Sequence, residues 1–547
     1  MLMTALPNLP SPSPQRHVGA GRGNNSGAAS SEGVYMRDML RDIIAVVLFL
    51  VGTWVIWINR RPKSLPPGPP AGLMGSHTHL IPKTEPWKKF YEWHQMYGPV
   101  ISFTFGPQNV ISLGSAKAAW DLLEKRGDIY SSRPRSIVAG EILSDGNRGI
   151  FTPYNQRWRN WRSLMQAGMN PTASSAYRER QASESAVMLK EMLEKPEGHK
   201  DIIKRYATSV VFAIAYGRRV RSLDDEIVVR NSATENYAGK IVLPGKFLVD
   251  SWPILLWIPK SLQWFRWDAE VHRKMDTELY MDLMNTVKSQ IDQGIAKDSM
   301  ATRALSKQAQ FGLNEEQTAY ALAAPYAAGV GTTTTAADIL LMAMLNYPEC
   351  MKKAQEELDR VVGPHRLPDF SDEDALPYCT ACIKEAQRWY TLAPTGFPHA
   401  VLQDDVYEGM FIPKGTTIYS NLYAIFQDSE MFPEPHVYRP ERFLENDDPR
   451  FINFTLQFGF GRRICPGMHV ASASLFLVFT RMLWSFNILP KKDELGRPII
   501  PDPSVGQTQL VRAPLPFGVV LEPRNKEVSE VIAREAEAAE ESLKDWL

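Results

Sequence analysis

The chain has 547 residues and carries 61 Lys+Arg against 61 Asp+Glu, with 44% hydrophobic and 22% charged residues. This composition excludes global disorder, the length suffices to bury a large core, and the even charge balance argues against a nucleic-acid binder working by phosphate neutralisation. Four cysteines are too few for a disulfide scaffold and suit a reducing compartment.

In chain order, residues 1–38 open as a Pro-, Ser-, Gly- and Asn-rich leader, expected to be disordered. Residues 43–58 (IIAVVLFLVGTWVIWI) carry no charge; Trp54 and Trp57 stand where an interfacial belt would lie, and Arg60, Arg61 and Lys63 follow. Taken as 39–60, the segment predicts an uncleaved transmembrane anchor. The alternatives are a signal peptide, disfavoured by the lack of a small-residue cleavage site, and a buried helix. Residues 61–70 contain SLPPGPP and read as a semi-rigid proline-rich hinge. Residues 71–525 read as one mostly helical body, with strand-like pieces near 100–113 and 402–419. Residues 526–547, rich in Ala and Glu, predict an exposed acidic helix.

Within the body, Asn314 and Gln317 form a capping-box pattern ahead of helical text from 315 to 346, which stops before Pro348. Its middle holds Pro325, Gly329, Gly331 and the run Thr332, Thr333, Thr334, Thr335, all weak helix formers. A long helix with a weakened centre predicts a functional opening; a packing kink is the bland alternative. The strongest local signal is FGFGRRICPG, residues 458–467. Cys465 sits in a Gly-rich loop before an apolar helical run, and amides at a helix N-terminus favour a thiolate. Gly461 and Gly467 would admit close approach of something flat, and Arg463 could pair with a carboxylate. Thiolate, flat partner and carboxylate together describe haem iron and a propionate.

The string Phe458-x-x-Gly461-x-Arg463-x-Cys465-x-Gly467 resembles the haem-binding loop of the cytochrome P-450 family. Glu385-x-x-Arg388 resembles its Glu-x-x-Arg helix, and Pro440-Glu441-Arg442-Phe443 its Pro-Glu-Arg-Phe segment. Trp158-x-x-x-Arg162 and Gly396-Phe397-Pro398-His399 resemble segments that reach haem propionates. Ala328-Gly329-x-x-Thr332-Thr333 resembles the oxygen-binding groove. The resemblance covers about residues 66–524. It implies a mainly α fold with small β-sheets and an N-terminal transmembrane helix, with haem b between the long central helix and the Cys loop. Cys465 would be the axial iron ligand. Phe458, Trp158, Arg162, His399 and Arg463 would bind the cofactor, Glu385, Arg388 and Arg442 would form a structural network, and Thr332 would be catalytic.

The implied function is a monooxygenase that takes NADPH electrons through NADPH–cytochrome P-450 reductase, activates dioxygen and oxidises a hydrophobic small molecule. The anchor and hinge resemble the microsomal branch: a single pass in the endoplasmic reticulum membrane, the body cytosolic. The phrasing near Pro244 resembles fungal members that oxidise specialised metabolites. One departure stands out. The family usually has Asp or Glu before the groove threonine, and this chain has Gly331. A haem-thiolate isomerase or dehydratase acting on a peroxide, which needs no such relay, is one alternative; a non-catalytic haem sensor is another. Asp338 lies two turns along the central helix and is not assigned as a donor. Cys379-x-x-Cys382 reads as a packed thiol pair. The apolar cluster Trp252, Leu255, Leu256, Trp257 and Ile258 reads as core or as a membrane-contacting lip. Asn24 and Asn453 head glycosylation sequons.

Overall fold

The computed structural model describes residues 28–58, 64–72, 76–242, 245–508 and 511–546. Asn24, Arg60, Arg61, Lys63 and the leader through residue 27 lie outside them. The chain divides into two units, 1–61 and 62–547.

The first unit contributes one helix, α1 (Ala28–Ile58). It begins within the segment expected as leader, so residues 28–38 are helical. Its described apolar side chains are exposed, Phe49 by 70% and Leu48 by 64%.

The second unit begins with the hinge prolines, which are fastened to the body. The Pro66 carbonyl accepts from Ser102 Oγ at 2.6 Å and the Pro67 carbonyl from Ser102 N at 2.8 Å. A proline cannot donate, but its fixed φ presents its carbonyl to a neighbour well. Ser102 belongs to β1 (Val100–Phe105), which pairs antiparallel with β2 (Gln108–Leu113). The helices that frame the site follow: α2 (Gln156–Met169), α3 (Arg178–Glu194), α4 (His199–Tyr216), α5 (Glu226–Ile241), α6 (Trp264–Asp292), α7 (Glu315–Asn346) and α8 (Pro377–Trp389). Two strands, β3 (His399–Ala400) and β4 (Thr417–Ser420), complete a sheet of order β1-β2-β4-β3. β4 runs parallel to β2 and antiparallel to β3, with His399 opposite Ile418. α9 (Met468–Ser485) and α10 (Lys526–Leu543) end the chain.

The largest core cluster surrounds α7. Both halves of its capping box form: Asn314 Oδ1 accepts from Gln317 N at 2.8 Å, and Gln317 Oε1 accepts from Asn314 N at 3.1 Å. The helix continues through Pro325, because burial of side chains from Thr318 to Leu345 outweighs poor propensity. By composition α7 could cross a bilayer, but most of it is buried inside the protein. Its centre alone opens: Ala327, Ala328 and Gly331 are exposed, Gly329 and Thr332 half-buried. The two glycines serve different ends. A Cβ on Gly329 would meet Val211 Cγ1 of α4 at 2.8 Å, whereas a Cβ on Gly331 would meet nothing within 4 Å.

The C-terminal helix corrects the expectation of an exposed tail. Asn525 caps it by accepting from Val528 N at 2.9 Å. Val528, Val531, Ile532, Ala536, Ala539 and Leu543 recur at helical spacing and are buried, leaving only the acidic face in solvent. Glu540 forks onto Arg219 at 2.7 and 3.0 Å, and Arg219 in turn donates to the buried Glu184 at 2.8 Å. The Trp546 carbonyl accepts from Arg219 N at 2.8 Å. Alternating apolar residues among many glutamates carried this face, but net acidity masked it. Deleting residues 526–547 should lower the thermal midpoint by roughly 10 °C or more, read by circular dichroism. Glu540→Gln, which keeps the apolar face, should cost only a few degrees. An unchanged midpoint after the deletion would contradict the packing.

Candidate functional site

The Cys465 loop is held by its own backbone. Cys465 N donates to the Phe458 carbonyl at 2.9 Å and Ile464 N to the Gly461 carbonyl at 3.1 Å. Gly459 and Gly461 take the left-handed φ values of +86° and +54°. Gly461 also meets a requirement set by the fold. Its missing side chain makes room for the Leu123 carbonyl, which a Cβ would overlap. Gly467, ahead of α9, has only ordinary space around it. Arg462 turns outward, to Asp128 and Tyr154.

The Cys465 thiol is half-buried. Burial pushes its pKa up, against the opposing pull of the Gly467 amide and the Arg162 charge. The helix-terminal amide expected to favour a thiolate is therefore present but outweighed. A coordinated metal cation, whose charge exceeds either, deprotonates a thiol outright.

Beside this loop three arginines and a histidine gather. Arg463 donates through Nε to Ser131 O at 2.7 Å, and through its two terminal nitrogens to Gly149 O at 3.3 Å and Thr152 O at 2.8 Å. Its guanidinium lies over the Trp158 ring, 4.2 Å from the centroid. Trp158 is fixed in the first turn of α2, whose cap Asn155 accepts from its amide at 3.0 Å. One helical turn on, Arg162 donates to Ile464 O at 2.6 Å. Arg133 donates to Ile150 O at 3.1 Å, Phe397 O at 3.1 Å and Pro398 O at 2.7 Å. His399, at the sheet edge, gives its Nδ1 proton to Tyr130 O at 2.7 Å, leaving Nε2 for another partner.

Among the described residues none of these three arginines forms a salt bridge with a carboxylate. Burial, with Arg133 and Arg162 adding repulsion, brings the Arg463 pKa down to about 8. Burial brings Arg133 to about 10. Burial, then the charges of Arg133 and Arg463, bring His399 to about 3. These arginines are half-buried, and clustered like charges whose partners are backbone carbonyls favour an anion among them. A dianionic group meets that need, and with a thiol beside it the donor set fits haem. Trp158, Arg162, Arg463, His399, Phe458 and Cys465, widely separated in sequence, thus come together here. Arg133 was missed, since nothing in the string distinguishes it from the neighbouring Arg135, which pairs with Glu141 on the surface.

Thr332 stands apart from this group on the α7 opening, its Oγ1 donating to Ala328 O at 2.6 Å. Asp338 does not share that face. It is buried and bonded to Lys200 of α4 at 3.0 Å. The predicted Glu385 network forms in full. Glu385 accepts from Arg388 at 2.7 Å through both oxygens, from Arg442 at 3.0 Å and from Arg439 N at 2.9 Å. The remaining donors of both arginines reach carbonyls of residues 426 and 433–437. Cys379 and Cys382 are free and buried, the packed thiols expected. Because Glu385 and Arg388 are wholly enclosed, Glu385→Ala should cost about 3–5 kcal/mol in denaturant unfolding. A cost under about 1 kcal/mol, the range of a surface pair, would contradict the enclosure.

A family model described as Cytochrome P-450 matches residues 65–519; α10 lies beyond the match. Cytochrome P-450 monooxygenase virE of Hypocrea virens is 37% identical over 511 residues, covering 90% of this chain and 92% of its own. Cytochrome P-450 monooxygenase drtD of Aspergillus calidoustus is 34% identical over 503 residues, covering 92% and 94%. A zebrafish cytochrome P-450 solved with progesterone shares the fold, with a TM-score of 0.68 at 24% identity over 80% of this chain and 99% of that one. The chain belongs to the cytochrome P-450 family and is a monooxygenase built on thiolate-ligated haem iron.

Proposed function

We propose that Cys465 is the axial ligand of haem b, with Arg463, Arg162, Trp158, His399 and Phe458 around the cofactor, and that Thr332 manages protons on the α7 side. The observation that carries this reading is the group of half-buried arginines next to the Cys465 thiol that, among the described residues, bond only backbone carbonyls and no carboxylate. Bound there, a thiolate-ligated haem supplies the dioxygen chemistry.

The chain's own residues set the conditions. The Glu385 network stiffens the segment 433–442 through one carboxylate shared by two arginines and through carbonyls of that segment. The Thr332 hydroxyl has one proton, committed to Ala328 O, so as placed it accepts from water. Passing a proton onward requires release of that bond. Gly331 leaves open space beside it and brings no acid of its own. Proton supply therefore runs through water held near Thr332.

The substrate is a hydrophobic small molecule, and the reductant reaches the enzyme through NADPH–cytochrome P-450 reductase. The body works at the cytosolic face of the endoplasmic reticulum membrane, anchored by α1. Two features support the membrane reading: the exposed apolar surface of α1, and the segment after α5, where Trp252, Ile254 and Trp257 are exposed, Trp257 by 85%. Leu255 and Leu256 of the same cluster pack inward, as the core reading expects, while the exposed tryptophans support the lip reading. Similarity to fungal monooxygenases supports a place in fungal specialised metabolism.

Cys465→Ser should abolish the red-shifted carbon monoxide band of the ferrous protein; a retained band would refute Cys465 as ligand. With reductase and a substrate, Thr332→Ala should keep haem and substrate binding while releasing more peroxide per NADPH. Gly331→Asp, which fits without steric conflict, should preserve or improve coupling. Unchanged peroxide release in Thr332→Ala would remove Thr332 from the relay. A peroxide isomerase or a haem sensor would show no substrate-dependent NADPH consumption.

A further inference from the structure

The segment 145–152, between the haem-side arginines and α2, makes two sets of bonds in opposite directions. Its carbonyls face the arginines: Gly149 O and Thr152 O accept from Arg463, and Ile150 O accepts from Arg133. Its side chains face the helices above. Arg148 donates to Glu235 of α5 at 3.1 Å, and to Asp276 at 3.1 Å and Tyr280 Oη at 3.0 Å on α6. Asn147 Nδ2 donates to Glu316 of α7 at 3.0 Å.

α5 and α6 cover the N-terminal half of α7. Ser232 and Tyr326 share a hydroxyl contact at 2.9 Å, Thr277 and Tyr320 another at 3.0 Å, and the Tyr280 and Tyr320 rings meet edge to face. The Arg148 side chain is only 11% exposed and Asp276 only 1%. Charge-assisted bonds so enclosed are strong, and breaking one strands the other partner. The segment itself has little freedom. Gly149 packs so closely on the Trp161 ring of α2 that a Cβ would overlap it. Thr152 Oγ1 ties back to Gly146 O at 3.0 Å and Arg148 O at 3.1 Å.

We propose that Arg148 is a positioning residue that couples the α5–α6 cover to the arginine cradle of the haem. Docked on Glu235 and Asp276, it holds residues 149–152 in register, so that their carbonyls aim Arg463 and Arg133. When the cover moves, the carbonyls shift and the cradle loosens. The inference rests on the haem-site reading above.

The test is the rate at which the ferric holoenzyme gives up haem to excess apomyoglobin. Glu235→Gln and Asp276→Asn, both isosteric, should each speed haem loss roughly three- to tenfold, the range of coupled contacts. Arg148→Ala should speed it at least as much, and adding Glu235→Gln to it should change little; Arg148→Lys, which keeps the charge, should speed it less. Glu540→Gln, which loosens the fold elsewhere, should lose haem at the wild-type rate. Wild-type rates in Glu235→Gln and Asp276→Asn, or effects that multiply with the Arg148 substitution, would overturn the proposal. Should Arg148→Ala fail to fold, the isosteric Glu235→Gln and Asp276→Asn variants decide. Failure of the underlying haem-site reading shows separately, as persistence of the carbon monoxide band in Cys465→Ser.

Discussion

Uncompensated positive charge organises this protein. Arg463, Arg133 and Arg162 lie half-buried beside one thiol, bonded to backbone carbonyls and, among the described residues, to no carboxylate. A carbonyl satisfies hydrogen bonding but returns only a partial charge. The remaining deficit is large in a low-dielectric interior, and a dianionic cofactor meets it. Much of the surrounding structure serves to hold those carbonyls in place: the α2 cap that sets Trp158, the sheet edge that carries His399, and the segment 145–152 pinned on Trp161.

A second buried charge system shows the contrast. Glu385, Arg388 and Arg442 are more enclosed, and there both arginines bond one carboxylate while their spare donors reach carbonyls. Such a network holds geometry. The Glu184, Arg205, Arg219 and Glu540 system likewise pairs arginines with carboxylates and is completed by the last helix. The arginines beside Cys465 differ in bonding no carboxylate among the described residues, a physical reason to place the cofactor there.

What was legible in the sequence was local. The capping box of α7, the glycine-bracketed Cys465 and the i,i+3 pair Glu385 and Arg388 have fixed short spacings, and all form as expected. What depended on distant contacts was not. Arg133 meets residues 397–398, and Arg148 meets residues 235 and 276; no spacing rule links such positions. Gly461 also answers a carbonyl at residue 123, a need no local spacing shows. α10 looked solvated because acidic residues dominate its composition while the six apolar ones make its contact face. Asp338 shows the limit of reasoning from helical rise alone: it lies along α7 from Thr332 but turns to Lys200.

The most direct measurement compares the affinity of the haem-free protein for haem with its affinity for the dimethyl ester of haem, which keeps the iron and ring but has no carboxylates. If the arginine group exists to receive two propionates, the ester should bind roughly 100-fold more weakly or worse, the loss of two charge-assisted contacts. Equal affinity for the two would contradict the account, since the charges of Arg463, Arg133 and Arg162 would then have no part in holding the cofactor.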